Sequence, residues 1–309
     1  MKTIVIALGG NAILKKGEKV TIDIQLKNTR KALEQLFPII KNNKVVITHG
    51  NGPTVGYLLM QNEMAKSKVP VMPLDVLDAE TEGQIGYLIQ QNLQNLFRKN
   101  KLKRNIVTVL TQVLVFEEDK AFENPTKFIG PFYTKKEAEK LKRRFVIKED
   151  FGRGWRRVVA SPKPIKIIES EAIEKMLNDK MIVIAVGGGG IPVINEDNKL
   201  QGVEAVVDKD LASACLANSI NAGTLIIITD VDGVYVNYNK KNQRGLNKVK
   251  LKEIKRYYNA GEFPSGNMGP KIEAAINFLE NGENRKVIIT DIDNIDKAMD
   301  ERRGTIIVK

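Results

Sequence analysis

The chain has 309 residues, of which 42% are hydrophobic and 28% charged, and this balance excludes a disordered or fibrous protein. Its single cysteine, Cys215, excludes a disulfide within the chain, so we expect a reducing compartment. The formal charge of +12 suits an anionic partner, but the basic residues are scattered and no nucleic-acid-binding motif accompanies them, so no nucleic acid is expected as a partner.

Short runs rich in Val and Ile predict buried strands along the whole chain. They are expected at Thr3–Leu8, Lys44–Thr48, Asn105–Leu110, Met181–Val186, Thr224–Thr229, Lys286–Thr290 and Thr305–Val308. Helical patterns lie between them, most clearly at Ile24–Asn42, Thr54–Ser67, Asp75–Asn100, Asp208–Asn221 and Lys271–Asn281. The strand runs are continuous rather than alternating, as in strands that are covered on both faces. This alternation of strands and helices predicts an α/β fold with a mainly parallel central sheet.

One segment, at about residues 116–164, interrupts this alternation. It contains PTKFIGPFY, a charged helical pattern and GRGWRRVVASPKP, and it carries the only tryptophan, Trp155. Its length of roughly 50 residues exceeds what compact domains leave without structure. We therefore predict a single domain over residues 1–309 with a small inserted subdomain, which we call the insertion and which is suited to act as a lid.

No segment of the sequence predicts membrane insertion. The apolar run near the start, in MKTIVIALGGNAILKK, is short and lacks a small-residue cleavage site. The longest apolar stretch, Met181–Ile194, contains four glycines and a proline and falls short of the roughly 20 residues that a membrane helix needs. We therefore expect a cytoplasmic protein with no membrane partner.

Glycine clusters directly follow three of the predicted strands. They are LGGNA at residues 8–12, HGNGP at residues 49–53 and GGGG at residues 187–190. Ligands of open α/β sheets bind at the carboxyl ends of the strands, where glycine lets backbone N–H groups approach an anion. Three such loops at neighbouring strand ends predict a phosphate site. The spacing does not match a Walker A loop, a GxGxxG dinucleotide loop or the protein-kinase motifs.

Two lysines stand where lysine is locally unfavourable, in the first turn of a predicted helix. Lys209 follows the predicted N-cap Asp208, and Lys271 follows Pro270 at a predicted first helical position. A cation there opposes the helix dipole, so a bound anion is the expected reason for both. Each lysine would neutralise charge on a transferring phosphoryl group. Asp210 would either hold both lysines in place or serve only as a carboxylate that favours the helix dipole.

Two further features are open to more than one interpretation. His49 is the only histidine, and we predict that it shapes the second glycine loop rather than acting in catalysis. The segment TDVDGVY at residues 229–235 ends another strand with two carboxylates and a glycine. It is either a plain Asp-Gly turn or a contact for a nucleotide.

Taken together, these segments resemble the carbamate kinase family within the amino acid kinase superfamily. The resemblance extends in order over essentially the whole chain. Its most specific motifs are PTKFIGPFY, RRVVASPKP and the VDKDLA segment, and its other matches are ALGGNAI, THGNGPTVGYLL, TQVLV, AVGGGGIPVI, TDVDGVY and PSGNMGPKIEAA.

The resemblance implies a fold, a reaction and partners. The fold would be a three-layer α/β/α sandwich, and the protein would usually be a homodimer. The reaction would be reversible phosphoryl transfer in which ATP and carbamate give ADP and carbamoyl phosphate. Mg²⁺ would bind mainly through the ATP phosphates, which leaves little trace in the sequence.

The resemblance also assigns residues to the site. Lys127, Lys209, Asp210 and Lys271 would be catalytic. The carbamate and phosphoryl groups would be held by Gly9, Gly10, Asn11, Gly50, Asn51 and Gly52. The nucleotide would contact Gly187, Gly188, Asp230, Tyr235, Tyr238 and Met268. No residue is assigned as a metal ligand.

One position departs from the wider superfamily. Most members carry a lysine just before the first glycine pair, whereas this chain has Ala7, as carbamate kinases generally do. Lys127 of PTKFIGPFY is the matching family position for the missing charge. The resemblance therefore makes the insertion part of the site, where it would deliver Lys127 on closing and exclude water.

The chemistry requires no general base, because the attacking carbamate oxygen is already anionic. Three alternatives remain: a superfamily kinase acting on acetylglutamate, glutamate, aspartate or UMP, an inactive nucleotide-binding regulator, and a nucleic-acid binder. Ala7 and the insertion argue against the first, the four catalytic candidates argue against the second, and the third rests on net charge alone. ATP synthesis during arginine breakdown and carbamoyl phosphate synthesis both fit the sequence.

Overall fold

The computed structural model describes residues 1–15, 17–150, 154–264, 266 and 268–309. Residues 151–153 of the insertion, together with Ser265 and Asn267 of the PSGNMGPK segment, lie outside this set. The strands are β1 Thr3–Leu8, β2 Lys44–His49, β3 Ile106–Thr108, β4 Gln112–Leu114, β5 Lys127–Tyr133, β6 Ile147–Glu149, β7 Trp155–Val159, β8 Lys166–Ile167, β9 Ile182–Ile184, β10 Ile191–Glu196, β11 Lys199–Gly202, β12 Thr224–Thr229, β13 Val234–Val236, β14 Arg244–Leu246, β15 Lys248–Lys250, β16 Lys286–Asp291 and β17 Thr305–Val308. The helices are α1 Ile22–Asn42, α2 Gly52–Ala65, α3 Leu74–Lys99, α4 Lys120–Glu123, α5 Lys135–Leu141, α6 Ser170–Asn178, α7 Lys209–Ser219, α8 Leu251–Asn259, α9 Met268–Glu280 and α10 Ile295–Met299.

The main sheet has eight strands in the order β15-β17-β16-β12-β1-β2-β9-β3. All of its pairings are parallel except that of β16 with β17. This confirms the mainly parallel sheet predicted from the sequence. Because β12, β1 and β2 are neighbours, their carboxyl ends meet at one edge of the sheet.

Helices cover both faces of this sheet, as continuous apolar strands require. Alternate residues of β1 show the division. Ile4, Ile6 and Leu8 pack with α1 and α3 on one face, whereas Val5 and Ala7 pack with α7 and α9 on the other. The result is two hydrophobic cores separated by the sheet, which is the predicted arrangement of three layers.

The insertion contains a small antiparallel sheet of its own, in the order β5-β7-β6. Thr134 caps α5 through a capping box with Glu137. The small sheet lies against α2, where Gly56 and Gly130 meet so closely that a Cβ on Gly56 would lie 2.8 Å from the Gly130 Cα. Glycine at both positions therefore lets β5 approach the helix backbone.

Several predicted elements differ from the structure by one to three residues at their ends, and two differences concern segments near the glycine loops and lysines. The apolar stretch from Met181 is divided, because β9 ends at Ile184 and a glycine turn separates it from β10 in a second sheet of order β11-β10-β4-β8. Helix α9 begins at Met268, so Pro270 is its third residue and not its first. Proline is tolerated there because the first helical N–H groups have no partner within the helix. Across the described ranges, no helix is long and apolar enough to cross a membrane.

Candidate active site

The first two glycine loops lie side by side at the carboxyl edge of the main sheet. Gly9 donates its N–H to the Ile228 carbonyl at 3.1 Å, and Gly50 donates to the Leu8 carbonyl at 3.1 Å. A Cβ on Gly9 would lie 2.8 Å from the Ile228 oxygen, and one on Gly50 would lie 3.5 Å from Cδ of Lys209. The glycines therefore allow the two loops and the stem of Lys209 to approach one another.

Asp210 joins two of the predicted lysines. One of its carboxylate oxygens accepts a hydrogen bond from Lys209, and the other lies 3.2 Å from Nζ of Lys271. Lys209 is the first residue of α7 and Lys271 is the fourth residue of α9. The beginnings of two helices on one face of the sheet are thus linked by a single buried carboxylate.

Lys127 reaches the same place from the insertion. Its Nζ lies 2.8 Å from Oδ2 of Asp208, the residue that precedes α7. The other oxygen of Asp208 accepts the N–H of Asp210 at 2.9 Å and so caps the helix. The structure therefore brings Lys127, Lys209, Asp210 and Lys271 together. Asp208 and Asp210 pair with the three lysines, and the five side chains together carry one net positive charge.

The electrostatics of this cluster follow from burial and from the neighbouring charges. Burial lowers the pKa of Lys209, an effect that Asp210 opposes. Burial acts on Lys271 as well, but Asp210 and Asp208 outweigh it, and its pKa is raised. Burial alone would raise the pKa of Asp208, yet Lys127 and the other two lysines lower it on balance. The aspartates thus favour the charged form of both buried lysines, and the lysines keep Asp208 ionised.

Hydrogen bonds fix the start of α7 against the second loop. Ser213 donates its hydroxyl to the Lys209 carbonyl at 2.5 Å, and Thr48 at the end of β2 lies 2.6 Å from the same hydroxyl. All of these groups are largely buried. The backbone that carries Lys209 is therefore held in place independently of its ion pair.

Asn51 of the second loop points its side chain away from solvent, towards α3. Its Nδ2 donates to Oδ1 of Asp78 and to Oγ1 of Thr81, each at 3.0 Å. Thr81 in turn donates to the Asp78 carbonyl at 2.7 Å, so its hydroxyl oxygen is available to accept. The amide of Asn51 is thereby oriented from behind the loop.

The third glycine loop lies behind the second one. A Cβ on Gly187 would lie 2.5 Å from the His49 ring, and one on Gly188 would lie 2.2 Å from Nδ2 of Asn51. Both glycines are buried, so the structure gives them a packing role beneath the site. Their contact with a nucleotide stays a prediction. His49 is buried as well, which lowers its pKa to about 4 and agrees with a structural role.

Glu82 completes this buried layer. Its Oε2 accepts the N–H of Thr111 at 2.7 Å, and it also accepts a backbone hydrogen bond from Gly187. Burial raises the pKa of both Glu82 and Asp78 well above the usual range. One oxygen of each carboxyl, Oδ2 of Asp78 and Oε1 of Glu82, has no hydrogen-bond partner among the described residues.

No role was predicted from the sequence for Asp78, Thr81 or Glu82, and Asp208 was predicted only to cap its helix. A signal for the first three was present in the pattern of α3. They share the helical face of Leu77, Ile85 and Ile89, all of which are buried. Ionisable side chains on an otherwise apolar helix face indicate a buried polar contact. No local signal could have found the pairing of Asp208 with Lys127, because 81 residues separate them.

Three of the residues predicted to contact the nucleotide line one cavity near the start of α9. Tyr235, Tyr238 and Met268 line a cavity of about 80 Å³, together with Val231, Gly233, Glu262, Phe263 and Pro264. Tyr235 donates its hydroxyl to Oδ1 of Asp232 at 2.6 Å. Asp230 is exposed at the end of β12 and contributes to the field at Lys271.

The remaining predicted residues lie at the mouth of the two loops. Gly10 and Asn11 form a short 3₁₀ turn after β1, in which Asn11 is exposed. Gly52 is the first residue of α2, and a Cβ there would meet no atom within 4 Å. Their backbone N–H groups therefore lie at the start of a turn and of a helix, where anions are commonly bound.

Comparison with known proteins identifies the family. The family model described as "Amino acid kinase family" matches residues 2–291. The carbamate kinase of Pyrococcus horikoshii is 46% identical over 307 residues, which cover 98% of each chain. Carbamate kinase 2 of Staphylococcus aureus is also 46% identical, over 98% of this chain and 97% of that protein. The chain belongs to the carbamate kinases of the amino acid kinase family.

Solved carbamate kinase structures share the whole architecture. The Giardia lamblia carbamate kinase bound to AMP-PNP superposes with a TM-score of 0.93 at 44% identity and covers 100% of this chain and 98% of that one. The N-acetylglutamate synthase of Neisseria gonorrhoeae reaches a TM-score of 0.59 at 15% identity, which shows a common fold alone. The mainly parallel α/β fold predicted from the sequence is thereby confirmed as the amino acid kinase fold.

Proposed function

We propose that this protein is a carbamate kinase that transfers a phosphoryl group reversibly between ATP and carbamate. The observation that carries the proposal is the meeting of Lys127, Lys209 and Lys271 at two glycine loops, with one lysine supplied by the insertion. Ala7 stands where other members of the superfamily carry a lysine, which supports carbamate over the other acceptors. Retention of all three lysines argues against an inactive regulator.

The reaction needs positioning and charge neutralisation rather than proton transfer. The anionic oxygen of carbamate attacks the γ-phosphorus of ATP, a new P–O bond forms, and the bond to the ADP oxygen breaks in line with it. No base is needed because no proton leaves the nucleophile. His49 supports this account, because burial lowers its pKa to about 4 and its ring lies against Gly187 behind the loop.

The lysines neutralise the charge that develops on the transferred group. Lys209 and Lys271 are held by Asp210 beside the glycine loops. In these loops, N–H groups other than those of Gly9 and Gly50, which donate to backbone carbonyls, bind the phosphoryl oxygens and the carbamate. Lys127 adds a third positive charge from the opposite side. The insertion acts as a lid that covers the acyl phosphate and excludes water from it.

The adenine nucleotide binds at the cavity beside α9. Tyr235 and Tyr238 present aromatic rings whose centroids are 6.2 Å apart, and Met268 provides an adaptable apolar surface. From this cavity the phosphates extend towards Lys271. Gly187 and Gly188 support the loop beneath them.

Mg²⁺ accompanies the nucleotide in this proposal. Mg²⁺ prefers oxygen ligands, and the ATP phosphates would supply most of them. Asp230 is the exposed carboxylate at the edge of the site. When bound, the ion neutralises phosphate charge.

Homodimer formation and a cytoplasmic location are further parts of the proposal. Apolar side chains stand exposed on α2, on the connection to α3 and on α3 itself, including Tyr57, Met64, Met72 and Tyr87. Exposed apolar side chains concentrated on successive elements favour association with a second chain. Light scattering of the purified protein tests the dimer, and a monomer at micromolar concentration would contradict it.

The decisive experiment measures ATP formation. Purified protein with carbamoyl phosphate and Mg-ADP is expected to make ATP, because the reaction is reversible and carbamoyl phosphate is the stable partner to supply. Heat-inactivated protein serves as the control. Acetyl phosphate in place of carbamoyl phosphate tests whether the protein is selective for the carbamoyl group of the phosphoryl donor. If no more ATP forms than in the control, the proposed activity is refuted.

A further inference from the structure

The ion pair between Lys127 and Asp208 joins the insertion to the helix that carries two other site residues. Lys127 is the first residue of β5 and Asp208 directly precedes α7. Their charged atoms are 2.8 Å apart, and the two side chains are only 33% and 17% exposed. A charge-assisted hydrogen bond at this distance and burial restricts the position of the ammonium group.

The two oxygens of Asp208 have separate tasks. Oδ1 accepts the N–H of Asp210, whereas Oδ2 accepts from Lys127. Asp210 then pairs with Lys209 and Lys271. The position of Lys127 is therefore set relative to the same helical turn that orders the other two lysines.

Contacts of the insertion backbone cannot replace this bond. The close approach of Gly56 to Gly130 places β5 on α2, but the four-carbon side chain of Lys127 remains flexible beyond its Cα. An ammonium group has three N–H donors. Asp208 takes one of them and leaves two for phosphoryl oxygens, so the ion pair and substrate binding are compatible.

We infer that Asp208 is a positioning residue, which holds the Lys127 ammonium group over the phosphoryl site without contacting the substrate itself. This inference deepens the proposed carbamate kinase function and rests on it. Loss of Asp208 is expected to affect substrate binding and the rate of transfer differently. A carboxylate in this place repels an anionic substrate, so its removal leaves ground-state binding unchanged or tighter, while the misplaced lysine stabilises the transition state less well.

The substitution Asp208→Asn separates this role from helix capping. Asparagine caps a helix about as well as aspartate but cannot form the ion pair. We expect kcat for ATP formation to fall by about 10- to 100-fold. The KM for carbamoyl phosphate should stay the same or fall, and the melting temperature should change little. The matched control is Asp119→Asn, which alters the N-cap aspartate of α4 within the insertion and should leave kcat unchanged.

A double-mutant cycle shows whether Asp208 acts through Lys127. In the Lys127→Met background, Asp208→Asn is expected to have no further effect on the rate. Single-turnover measurements with enzyme in excess make the slow variants accessible. Unchanged or increased kcat in Asp208→Asn, or an equal loss in both backgrounds, would overturn the inference. The wild-type rate in the same assay tests the proposed function separately. If the wild-type enzyme is active and Asp208→Asn has the same kcat, only the positioning role is refuted.

Discussion

Asn51 donates its side-chain amide to Asp78, 27 residues further along the chain, at a distance of 3.0 Å. Both residues are buried, and Asn51 lies in the second glycine loop. Burial and the negative charges of Asp75 and Glu204 raise the pKa of this carboxyl, whereas the hydrogen bond from Asn51 and the positive charge of Lys127 lower it. Because burial is the strongest of these influences, the pKa of Asp78 lies well above its usual range, and the protonated form is favoured behind the loop.

This proton makes stability depend on pH in a defined direction. A carboxyl whose pKa is raised by folding contributes stability below its unfolded pKa of 3.8, and the contribution is lost as the pH rises towards the folded value. The variant Asp78→Asn keeps an acceptor for Asn51 but does not titrate. We therefore expect the variant to gain stability relative to the wild type as the pH rises above 3.8, as measured by urea unfolding.

The control for this prediction lies on the same helix. Glu80 is exposed on α3, and Glu80→Gln removes one carboxylate without changing the buried residues Asp78 and Glu82. Its unfolding over the same pH range measures the effect of removing an exposed carboxylate from the same helix. A stability difference between Asp78→Asn and the wild type that does not change with pH would show that Asp78 is ionised in the folded protein.

His49 gives the opposite dependence. Burial lowers its pKa from 6.5 to about 4, so above pH 6.5 the neutral ring contributes its full stability. Between these values the unfolded chain takes up a proton that the folded chain does not, and the free energy of unfolding should decrease by roughly 1.4 kcal/mol for each pH unit as the pH falls. Unfolding curves at pH 7 and pH 5 measure this, and His49→Gln should show a smaller decrease. Equal pH slopes for both proteins would contradict the assignment.

The sequence predicted the elements of this site better than their contacts. Strand β1 and strand β12 were predicted with their observed bounds, because continuous Val and Ile runs between polar residues mark buried parallel strands clearly. Lys209 and Lys271 stood out because a cation at a helix start opposes the helix dipole. Asp78 and Glu82 do not oppose a helix dipole. Their only signal was an ionisable side chain on an apolar helix face, and their contacts are made with distant loops that only folding brings to them.

Lys127 is predicted to be needed for turnover and not for folding. Substitution by methionine keeps the apolar stem but removes the charge, so kcat should fall by roughly 10²- to 10⁴-fold, as for other groups that stabilise transition-state charge. Stability should change by about 1 kcal/mol or less, because the ion pair is partly exposed. Steady-state assays and thermal unfolding measure both quantities. Lys136→Met, at an exposed lysine of α5, is the control, and near-normal turnover of Lys127→Met would remove this lysine from the mechanism.

The contact between Gly56 and Gly130 sets how closely the insertion approaches α2. An alanine at position 56 would place its Cβ 2.8 Å from the Gly130 Cα and 3.0 Å from its nitrogen, so one backbone must move. Gly130 itself has a φ of +74°, which a side chain rarely adopts, and it cannot easily change to compensate. We expect Gly56→Ala to lose about 1–3 kcal/mol of stability, the usual consequence of overpacking.

Turnover should respond as well, because Gly130 lies on the same strand as Lys127. A shift of β5 away from α2 moves the lysine away from Asp208, so kcat of Gly56→Ala should fall even at temperatures where the protein is fully folded. Gly83→Ala is the matched control, since that glycine is exposed on α3 and a Cβ there would meet nothing within 4 Å. Alanine favours a helix over glycine by about 1 kcal/mol, so this control should be equally or more stable and fully active. If Gly56→Ala matched Gly83→Ala in both respects, the seating of the small sheet on α2 would have no part in placing Lys127.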